Sequence, residues 1–395
     1  MNVEGALMEA RAGDAAMRAA RVSAIAGKYA DPVDVEGRFP REAVEAMRAE
    51  KLLSIQIPTD LGGEGASITE IAELCSILGQ TCAASAMVFA MHQIKLSSLV
   101  EHGAGSDWHR DFMRRIAKEQ LLLASATSER GIGGNLRTSI CALKFEGDTC
   151  FLEKDATAIS YGAHADAILT TSRSHAEAAS SNQVLTVFLR DQYRLERTIE
   201  WNALGMRGTC SDGFLFKGEA LAAQILPKPF AEIAAQSMLA SSHLLWSGVW
   251  YGIAADAVAR AQAFVRDAAR KSPGTPPGAL RLAEVSSQLQ MVKSNIVRGL
   301  KIYEEARADP DRLSSITFAV AMNNVKIASS EMILPIINHA MLICGILGYQ
   351  NGTPYSLGRH LRDAHSAQLM ISDERILGNT ATMLLVHKQD TSLLG

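Results

Sequence analysis

The chain lacks a strong net charge, a paired-cysteine motif and an apolar run long enough to cross a membrane. Its 395 residues carry a formal net charge of −3, so no basic surface for nucleic acid or an anionic membrane is indicated. The six cysteines are scattered without a CxxC pair, a pattern typical of reduced thiols rather than of a metal site. The longest apolar run, 340–347, is too short for a transmembrane helix. We therefore predict no nucleic-acid partner, no metal and no membrane span.

A secretory signal is also missing from the amino-terminal region. This region carries acidic residues early and has no apolar core of signal-peptide length, so we expect a cytoplasmic location. Apolar residues make up 48% of the chain and charged residues 21%, which is typical of a globular protein. A chain of this length can bury more than one core, so we expect two or three packed domains.

The hydrophobic period changes twice along the chain. Apolar residues first recur at helical spacing, and Ser67 with Glu70 predicts a capping box at the start of one helix. Short alternating runs separated by turns follow, and then helical spacing returns. We therefore predict an α+β multi-domain fold with an amino-terminal α-helical domain (1–120), a middle antiparallel β domain (121–230) and a carboxy-terminal four-helix-bundle-like domain (231–395).

Five local motifs, which occur in a fixed order along these segments, resemble the motifs of one protein family. In chain order they are TSERGIGGN (127–135), DATAISYGAHADAILTTSR (155–173), WNALGMRGTCSDGFLFKG (201–218), RKSPG (270–274) and ICGILGYQNGTPYSLGRHLRDA (343–364). Each resembles the motif that stands at the same place in the acyl-CoA dehydrogenase superfamily, and the third is the most specific. The resemblance covers nearly the whole chain and implies the fold of that family.

The resemblance implies that the chain binds FAD. Glycines and small hydroxyl groups let the backbone approach a flavin and its phosphates closely, and the 127–135 loop supplies both. Ser160 falls on the family's Thr beside flavin N5. Arg270 falls on an Arg that reaches the FAD of a neighbouring subunit, which implies a homotetramer. The implied cofactor-binding residues are Thr127, Ser128, Gly133, Gly134, Ile159, Ser160, Arg270, Gly345, Gly348, Asp373 and Arg375.

The sequence departs from the family at the adenine half of FAD and at the substrate. A Phe-Gln pair of the family falls on Leu282 and Ala283, so those contacts to the adenine half are lost. His243 stands where many relatives have an Arg that helps to bind substrate, and Tyr161 replaces an Asn in the segment over the flavin. We take both residues as substrate-site candidates for an acyl-CoA or another small molecule.

The catalytic carboxylate of the family is missing. In the family a glutamate removes the α proton of an acyl thioester while hydride moves to flavin N5, and burial raises the pKa of such a base towards working pH. The matching position here is Ile371, and the alternative position used by some relatives falls near Ser242 and His243. Neither position carries a carboxylate.

Three functions stay open. In the first, which we favour because dehydrogenases are frequent in the family, Glu374 is a shifted base and hydride passes from an acyl thioester to FAD and on to an electron-transfer partner. In the second, the chain is a two-component monooxygenase that uses O2 and reduced flavin from a reductase. That chemistry needs no carboxylate base, and its candidate polar groups are His365, Ser160 and His92. In the third, the chain is a non-catalytic FAD-binding subunit.

Overall fold

The computed structural model describes residues 3–271, 274–388 and 392, and its first part is helical. The helices before the first strand are α1 Val3–Glu36, α2 Arg41–Ala49, α3 Ile68–Gly79, α4 Ala83–Gly103 and α5 Asp107–Glu119. The predicted capping box begins α3: the Ser67 hydroxyl accepts from the Glu70 N–H at 3.2 Å, and the Glu70 carboxylate accepts from the Ser67 N–H at 2.7 Å. Two N–H groups at the helix start that have no acceptor within the helix are thereby hydrogen-bonded.

The middle part of the chain folds into two sheets. The strands are β1 Leu123–Ala126, β2 Lys144–Glu146, β3 Thr149–Ala156, β4 Ala167–Arg173, β5 Gln183–Leu189, β6 Tyr193–Ile199 and β7 Gly213–Leu221. One sheet has the order β1-β4-β5 and the other the order β2-β3-β7-β6. Only β1 and β4 depart from the predicted antiparallel pairing among these described strands. They run parallel because the chain crosses through the β2–β3 hairpin of the other sheet before it returns.

The last part of the chain is helical again. Its helices are α6 Phe230–Ile233, α7 Leu239–Ala269, α8 Ala279–Ala306, α9 Pro310–Leu313, α10 Ile316–Cys344, α11 Ile346–Tyr349, α12 Gly358–Ala364, α13 Ser366–Leu369 and α14 Asp373–Leu384. The long helices α7, α8 and α10 pack on one another, and α14 packs on α10. The predicted fold class is confirmed. The domain boundaries at 120 and 230 stay predictions, although the element type changes near both.

Helix α10 is long and apolar enough to cross a membrane by length and composition alone. Half of its most apolar window is buried inside the protein, and the fully buried Lys326 lies near its middle. Core helices of soluble proteins pass the same test, so α10 is weak evidence for a membrane span.

Helices α3 and α7 approach each other so closely that α7 requires glycine at the contact. A Cβ atom at Gly252 would overlap the Ser76 carbonyl oxygen and would lie 3.0 Å from the Cα atom of Gly79. One turn earlier, a Cβ atom at Gly248 would lie 2.8 Å from the Ala72 carbonyl oxygen. This glycine contact joins the amino-terminal helices to the carboxy-terminal bundle.

Replacement of Gly252 by Ala should therefore destabilise the protein. The added methyl group can enter only if the two helices separate, and overpacking of this kind costs about 1–3 kcal/mol. Urea unfolding followed by circular dichroism measures the change. Gly378→Ala is the control, since a Cβ atom there meets nothing within 4 Å, and it should be neutral or slightly stabilising. Equal stability of the two variants would contradict the close approach.

Candidate active site

The predicted flavin loop is tied to the segment that follows β3. The Ser128 hydroxyl donates to the Ala158 carbonyl oxygen at 2.8 Å and accepts from the Ala158 N–H at 3.1 Å. Thr127, just before Ser128, is half-buried. The buried Ile159 donates its N–H to the Asp212 carbonyl oxygen at 2.8 Å. The 127–135, 155–173 and 201–218 motifs therefore meet at one place.

A chain of three hydroxyl groups determines to which neighbour the Ser160 hydroxyl donates its hydrogen. Thr209 donates its only hydroxyl hydrogen to the Met206 carbonyl oxygen at 2.8 Å. The Ser211 hydroxyl lies 2.8 Å from the hydroxyls of both Thr209 and Ser160. Ser211 must then donate to Thr209, and Ser160 must donate to Ser211. The remaining lone pairs of the half-buried Ser160 are therefore available to accept from an N–H group.

Two glycines at the tip of the flavin loop are held by Arg375, which lies in the first turn of α14. Gly133 and Gly134 have φ values of 59° and 74°, in the left-handed region that favours glycine. The Arg375 guanidinium donates to the Gly134 carbonyl oxygen at 2.7 Å and to that of Gly133. The structure thus brings three predicted cofactor residues together, while their contact with a flavin stays a prediction.

A buried ion pair behind the loop was not identified from the sequence. The Glu129 carboxylate accepts from the N–H groups of Ile140 and Cys141 at 3.1 and 2.6 Å, and the Lys154 ammonium lies 3.7 Å away. Burial opposes the ionisation of Glu129, but Lys154 and these donors hold the pKa of Glu129 below its ordinary value. The pair anchors the loop to β3. A lysine at a buried position of that strand is the signal that could have revealed it.

Lys326 fixes the backbone of Ile371, the residue that the sequence resemblance matches to the family's catalytic glutamate. The Lys326 ammonium donates to the carbonyl oxygens of Ala367 and Ile371 at 2.9 Å each, and to the Asp373 carboxylate. Ser330 donates to the other Asp373 oxygen at 2.7 Å. Ile371 has a φ of 48°, which is rare for a β-branched residue. We call this set of contacts the Lys326 clamp.

The two carboxylates that follow Ile371 are not free, buried bases. Both oxygens of the buried Asp373 are engaged by the Lys326 clamp, so the side chain that was predicted to contact FAD is occupied by the protein. Glu374 is exposed in the first turn of α14, where a carboxylate favours a helix start. A base for an α proton works in a dry environment. The placement of Glu374 therefore does not support its assignment as the base.

The two substrate-site candidates, His243 and Tyr161, are both buried. They differ in whether a polar side-chain atom is left without a hydrogen-bond partner. His243 Nδ1 is bonded to the Met322 carbonyl oxygen at 3.1 Å, and Nε2 has no partner among the described residues. Burial lowers the pKa of His243 to about 4. Tyr161 donates its hydroxyl to the Leu123 carbonyl oxygen at 2.9 Å, and burial raises its pKa. Tyr161 is thus placed as a core residue, which does not support substrate contact, whereas His243 keeps one nitrogen available.

His92 and His365, the two histidines considered for the monooxygenase reaction, are not positioned to take part in it. The ring nitrogens of His92 are bonded to the Leu53 carbonyl oxygen at 2.6 Å and to the Leu123 N–H at 3.0 Å. Burial lowers the pKa of His92 to about 4. His365 is exposed. Of the three candidate groups, only Ser160 keeps an available polar atom next to the flavin loop.

The remaining implied residues lie at helix ends. Arg270 is exposed directly after α7, Gly345 ends α10 with a φ of 57°, and Gly348 is buried in α11. Ser272 and Pro273 of the RKSPG motif lie outside the described residues. Contact of these positions with the cofactor of a neighbouring subunit stays a prediction.

Asp363 joins the 201–218 motif to the carboxy-terminal motif. Its buried carboxylate accepts from the Met206 N–H at 2.7 Å, and a Cβ atom at Gly205 would overlap the Arg362 carbonyl oxygen. Burial raises the pKa of Asp363 to about 6, although the Met206 N–H and Arg359 oppose that shift. The two segments are thus held by a carboxyl group that resists ionisation.

Two family profiles match the chain. The profile of the acyl-CoA dehydrogenase N-terminal domain matches residues 14–124, and that of the C-terminal domain matches residues 233–371. The chain belongs to the acyl-CoA dehydrogenase superfamily. Among curated relatives, it is 22% identical over 353 residues to cyclohex-1-ene-1-carbonyl-CoA dehydrogenase of Syntrophus aciditrophicus (strain SB), a match that covers 87% of this chain and 82% of the relative.

Solved structures share the acyl-CoA dehydrogenase fold with this chain. FMN-bound TdsC from Paenibacillus sp. A11-2 has a TM-score of 0.82 at 18% identity, with 95% of this chain and 98% of that chain covered. Methanesulfinate monooxygenase MsuC from Pseudomonas fluorescens has a TM-score of 0.80 at 17% identity, with 95% and 98% covered. At these identities the likeness shows the fold alone.

The residues of this superfamily member fit a flavin where the three motifs meet. Gly133 and Gly134 are exposed and present no side chain that would keep a flavin away from the backbone. Ser160 adds a directed acceptor beside them. At the positions that serve the adenine half in the family, Leu282 is packed against the core and Ala283 offers no polar group. The predicted site therefore offers close backbone approach and a hydrogen-bond acceptor to the flavin ring, whereas Leu282 and Ala283 offer no polar side chain to the adenine half.

Replacement of Lys326 by Met should strongly destabilise the protein. It would leave the Asp373 carboxylate buried without its partner, and breaking a buried pair in this way costs about 3–5 kcal/mol. Urea unfolding measures the loss. The double variant Lys326→Met, Asp373→Asn should regain a large part of it, because no uncompensated charge then remains. If the single and double variants are equally unstable, the charge pairing is not what the Lys326 clamp contributes.

The Asp363 carboxyl should make the stability fall as pH rises from about 4 to about 6. Its pKa is raised from 3.8 to about 6 on folding, so its favourable contribution is complete below the lower value and is lost above the higher one. The full effect is about 3 kcal/mol. Asp363→Asn keeps an acceptor for the Met206 N–H and should flatten this part of the pH profile of unfolding free energy. An unchanged profile would contradict the assignment.

Proposed function

We propose that the chain is a flavin-dependent monooxygenase that acts on a small organic substrate with O2 and reduced flavin. The observation that carries this proposal is that neither family position for the catalytic base holds a carboxylate. Ile371 occupies one position, and the buried Ser242 and His243 occupy the other. The nearest alternatives are unsuitable, since Asp373 is ion-paired and Glu374 is exposed.

Reduced flavin, when bound, would supply the electrons that activate O2. The contribution of the chain is a directed acceptor at Ser160, because Ser211 accepts the Ser160 hydroxyl hydrogen and donates its own to Thr209. Reduced flavin carries an N–H group at N5 that oxidised flavin lacks. An acceptor at this place therefore favours the reduced form, which suits a protein that receives its flavin already reduced from a separate reductase. The sequence also carries no separate NAD-binding fingerprint.

The solved relatives support this proposal by analogy of fold. TdsC is described as a dibenzothiophene monooxygenase, and MsuC as a methanesulfinate monooxygenase. TdsC is also described as FMN-bound. Because Leu282 and Ala283 replace family contacts to the adenine half, we infer that FMN is sufficient here in place of the FAD that the resemblance implies. Retention of the flavin loops argues against a non-catalytic subunit.

The second candidate function is acyl-CoA dehydrogenation with FAD. It is favoured by the sequence match to an acyl-CoA dehydrogenase over 87% of this chain. It would require Glu374, or a group of the substrate, to take the α proton, and an electron-transfer partner to reoxidise the flavin. The exposed position of Glu374 makes this the weaker proposal.

We also propose that the chain forms a homotetramer, as the family resemblance implies. Large apolar side chains are exposed along α10, α11 and the carboxy-terminal segment, which is unfavourable for a monomer. They include Leu342, Ile346, Tyr349, Leu369 and Leu385. Light scattering measures the assembly state. The cytoplasmic location stays a prediction.

The deciding experiment compares the two chemistries on one protein loaded with FMN or FAD. Under anaerobic conditions, saturated acyl-CoAs of several chain lengths should leave the flavin absorbance unchanged. After chemical reduction and mixing with O2, protein-bound flavin should reoxidise more slowly than free flavin, and incubation with indole under 18O2 should give a product that carries labelled oxygen. Bleaching by an acyl-CoA would overturn the monooxygenase proposal in favour of the dehydrogenase.

Ser160→Ala tests the directed acceptor. It should accelerate reoxidation of the bound reduced flavin by roughly tenfold, the equivalent of one lost hydrogen bond. Stopped-flow absorbance measures this rate. Ser172→Ala removes a fully buried serine of β4 and should leave the rate unchanged. If both variants behave alike, Ser160 does not interact with the flavin.

A further inference from the structure

A cavity of about 340 Å³ lies between the amino-terminal helices and the carboxy-terminal bundle. Its wall is formed by the loop that precedes α3 and by the carboxy-terminal ends of α4 and α8, and it includes Gln56, Glu64, Glu101, Tyr303 and Arg307. None of its lining residues belongs to the three motifs that meet at the predicted flavin site. The cavity has the size of a small-molecule site and is separate from the predicted flavin loops.

The inner end of the cavity offers an amide oxygen that the protein leaves without a donor. Gln56 is only 7% exposed, and its Nε2 donates to the Gln93 carbonyl oxygen at 3.3 Å. That carbonyl can only accept, which fixes the orientation of the Gln56 amide. Its Oε1 has no hydrogen-bond partner among the described residues. Because buried amide oxygens are normally bonded, this end of the cavity calls for a donor.

The outer end of the cavity carries a carboxylate that is not neutralised. Glu101 is exposed there, yet desolvation by the surrounding protein raises the pKa of its carboxyl, while Arg307 opposes the shift and Glu304 adds to it. Arg307 is paired with Glu304 at 3.4 Å, and Glu64 accepts from both terminal nitrogens of Arg18 at 2.8 and 2.7 Å. Of the three charged side chains in the described wall, Glu101 therefore leaves one negative charge over.

The two acceptors are close enough to be reached by one small ligand. The Gln93 carbonyl oxygen points towards the carboxy-terminal end of α4 and bonds one turn further on, and Glu101 lies one turn beyond that point, roughly 6 Å along the helix. Pro58 and Val100 contribute apolar surface to the same wall. A ligand that fits this wall donates hydrogen bonds, carries a positive charge and has an apolar part.

We propose that this cavity binds an organic cation that carries a primary ammonium group on a short apolar chain. The ammonium group donates to Gln56 Oε1 and to the Glu101 carboxylate, and the chain packs against Pro58 and Val100. An ammonium group has three donors and no acceptor, which matches two acceptors that lack a donor. Aliphatic amines and diamines have this chemistry. The inference goes beyond the proposed function and does not depend on it.

The test compares three probes on the flavin-loaded protein by calorimetry. Butylammonium has both the charge and the N–H donors, N,N,N-trimethylbutylammonium keeps the charge without a donor, and 1-butanol keeps a donor without the charge. Butylammonium should bind more tightly than either by roughly tenfold, the equivalent of one hydrogen bond to a charged group. Glu101→Gln should reduce its affinity to near that of 1-butanol. Gln56→Leu, which removes the inner acceptor, should also weaken it.

The control variant is Glu45→Gln, which neutralises an exposed glutamate of α2 and should leave all three affinities unchanged. Equal binding of the three probes, no binding of butylammonium at millimolar concentration, or equal affinities of the Glu101→Gln and Glu45→Gln variants would overturn the inference. A crystal structure grown with butylammonium in which the cavity holds only ordered water would do the same. Because no flavin chemistry enters these measurements, their failure leaves the proposed function untouched, and failure of the proposed function leaves this inference untouched.

Discussion

The buried ion pair between Lys326 and Asp373 is the interaction on which the chemistry of the site depends. Removal of an ammonium group from water is unfavourable unless its hydrogens are all bonded and its charge is neutralised. Lys326 meets both conditions through the carboxylate and two carbonyl groups, and the Trp250 ring adds a cation–π contact. Because the carbonyl of Ile371 is one of these partners, the segment that matches the family's base position is tied to α10.

If the proposed function holds, this arrangement separates the fold of the superfamily from its usual reaction. The helices pack through apolar and glycine contacts, such as that of Gly252 with α3, which do not depend on the residue at 371. A change from carboxylate to isoleucine can therefore leave the fold intact while it removes the base. Asp373 is used for charge neutralisation, and Glu374 for the start of α14, so neither compensates for the loss.

The predicted flavin site is assembled from segments that are distant in sequence. Ser128 and Ala158 exchange two hydrogen bonds, and Ser211 links Ser160 to Thr209. In the hydroxyl chain each hydrogen bond determines the direction of the next one. The Ser160 hydroxyl is therefore oriented as an acceptor without any bound ligand. Preorganised groups of this kind need no rearrangement during the reaction. The same logic applies to His243, whose tautomer is chosen by a backbone carbonyl of α10.

The sequence by itself determined the family, the order of helical and strand segments, the capping box at Ser67, and the absence of a carboxylate at Ile371. These features depend on local periodicity or on residue identity, and both can be read directly from the sequence. Only the tertiary structure decided that Asp373 is neutralised by Lys326, that Tyr161 and His92 are engaged in the core, and that β1 pairs in parallel with β4. The partners in each case are separated by tens of residues, and their pairing depends on how helices and sheets pack. Hydrogen-bond direction and desolvation, which set the polarity of the Ser160 hydroxyl and the tautomer of His243, exist only once that packing is formed.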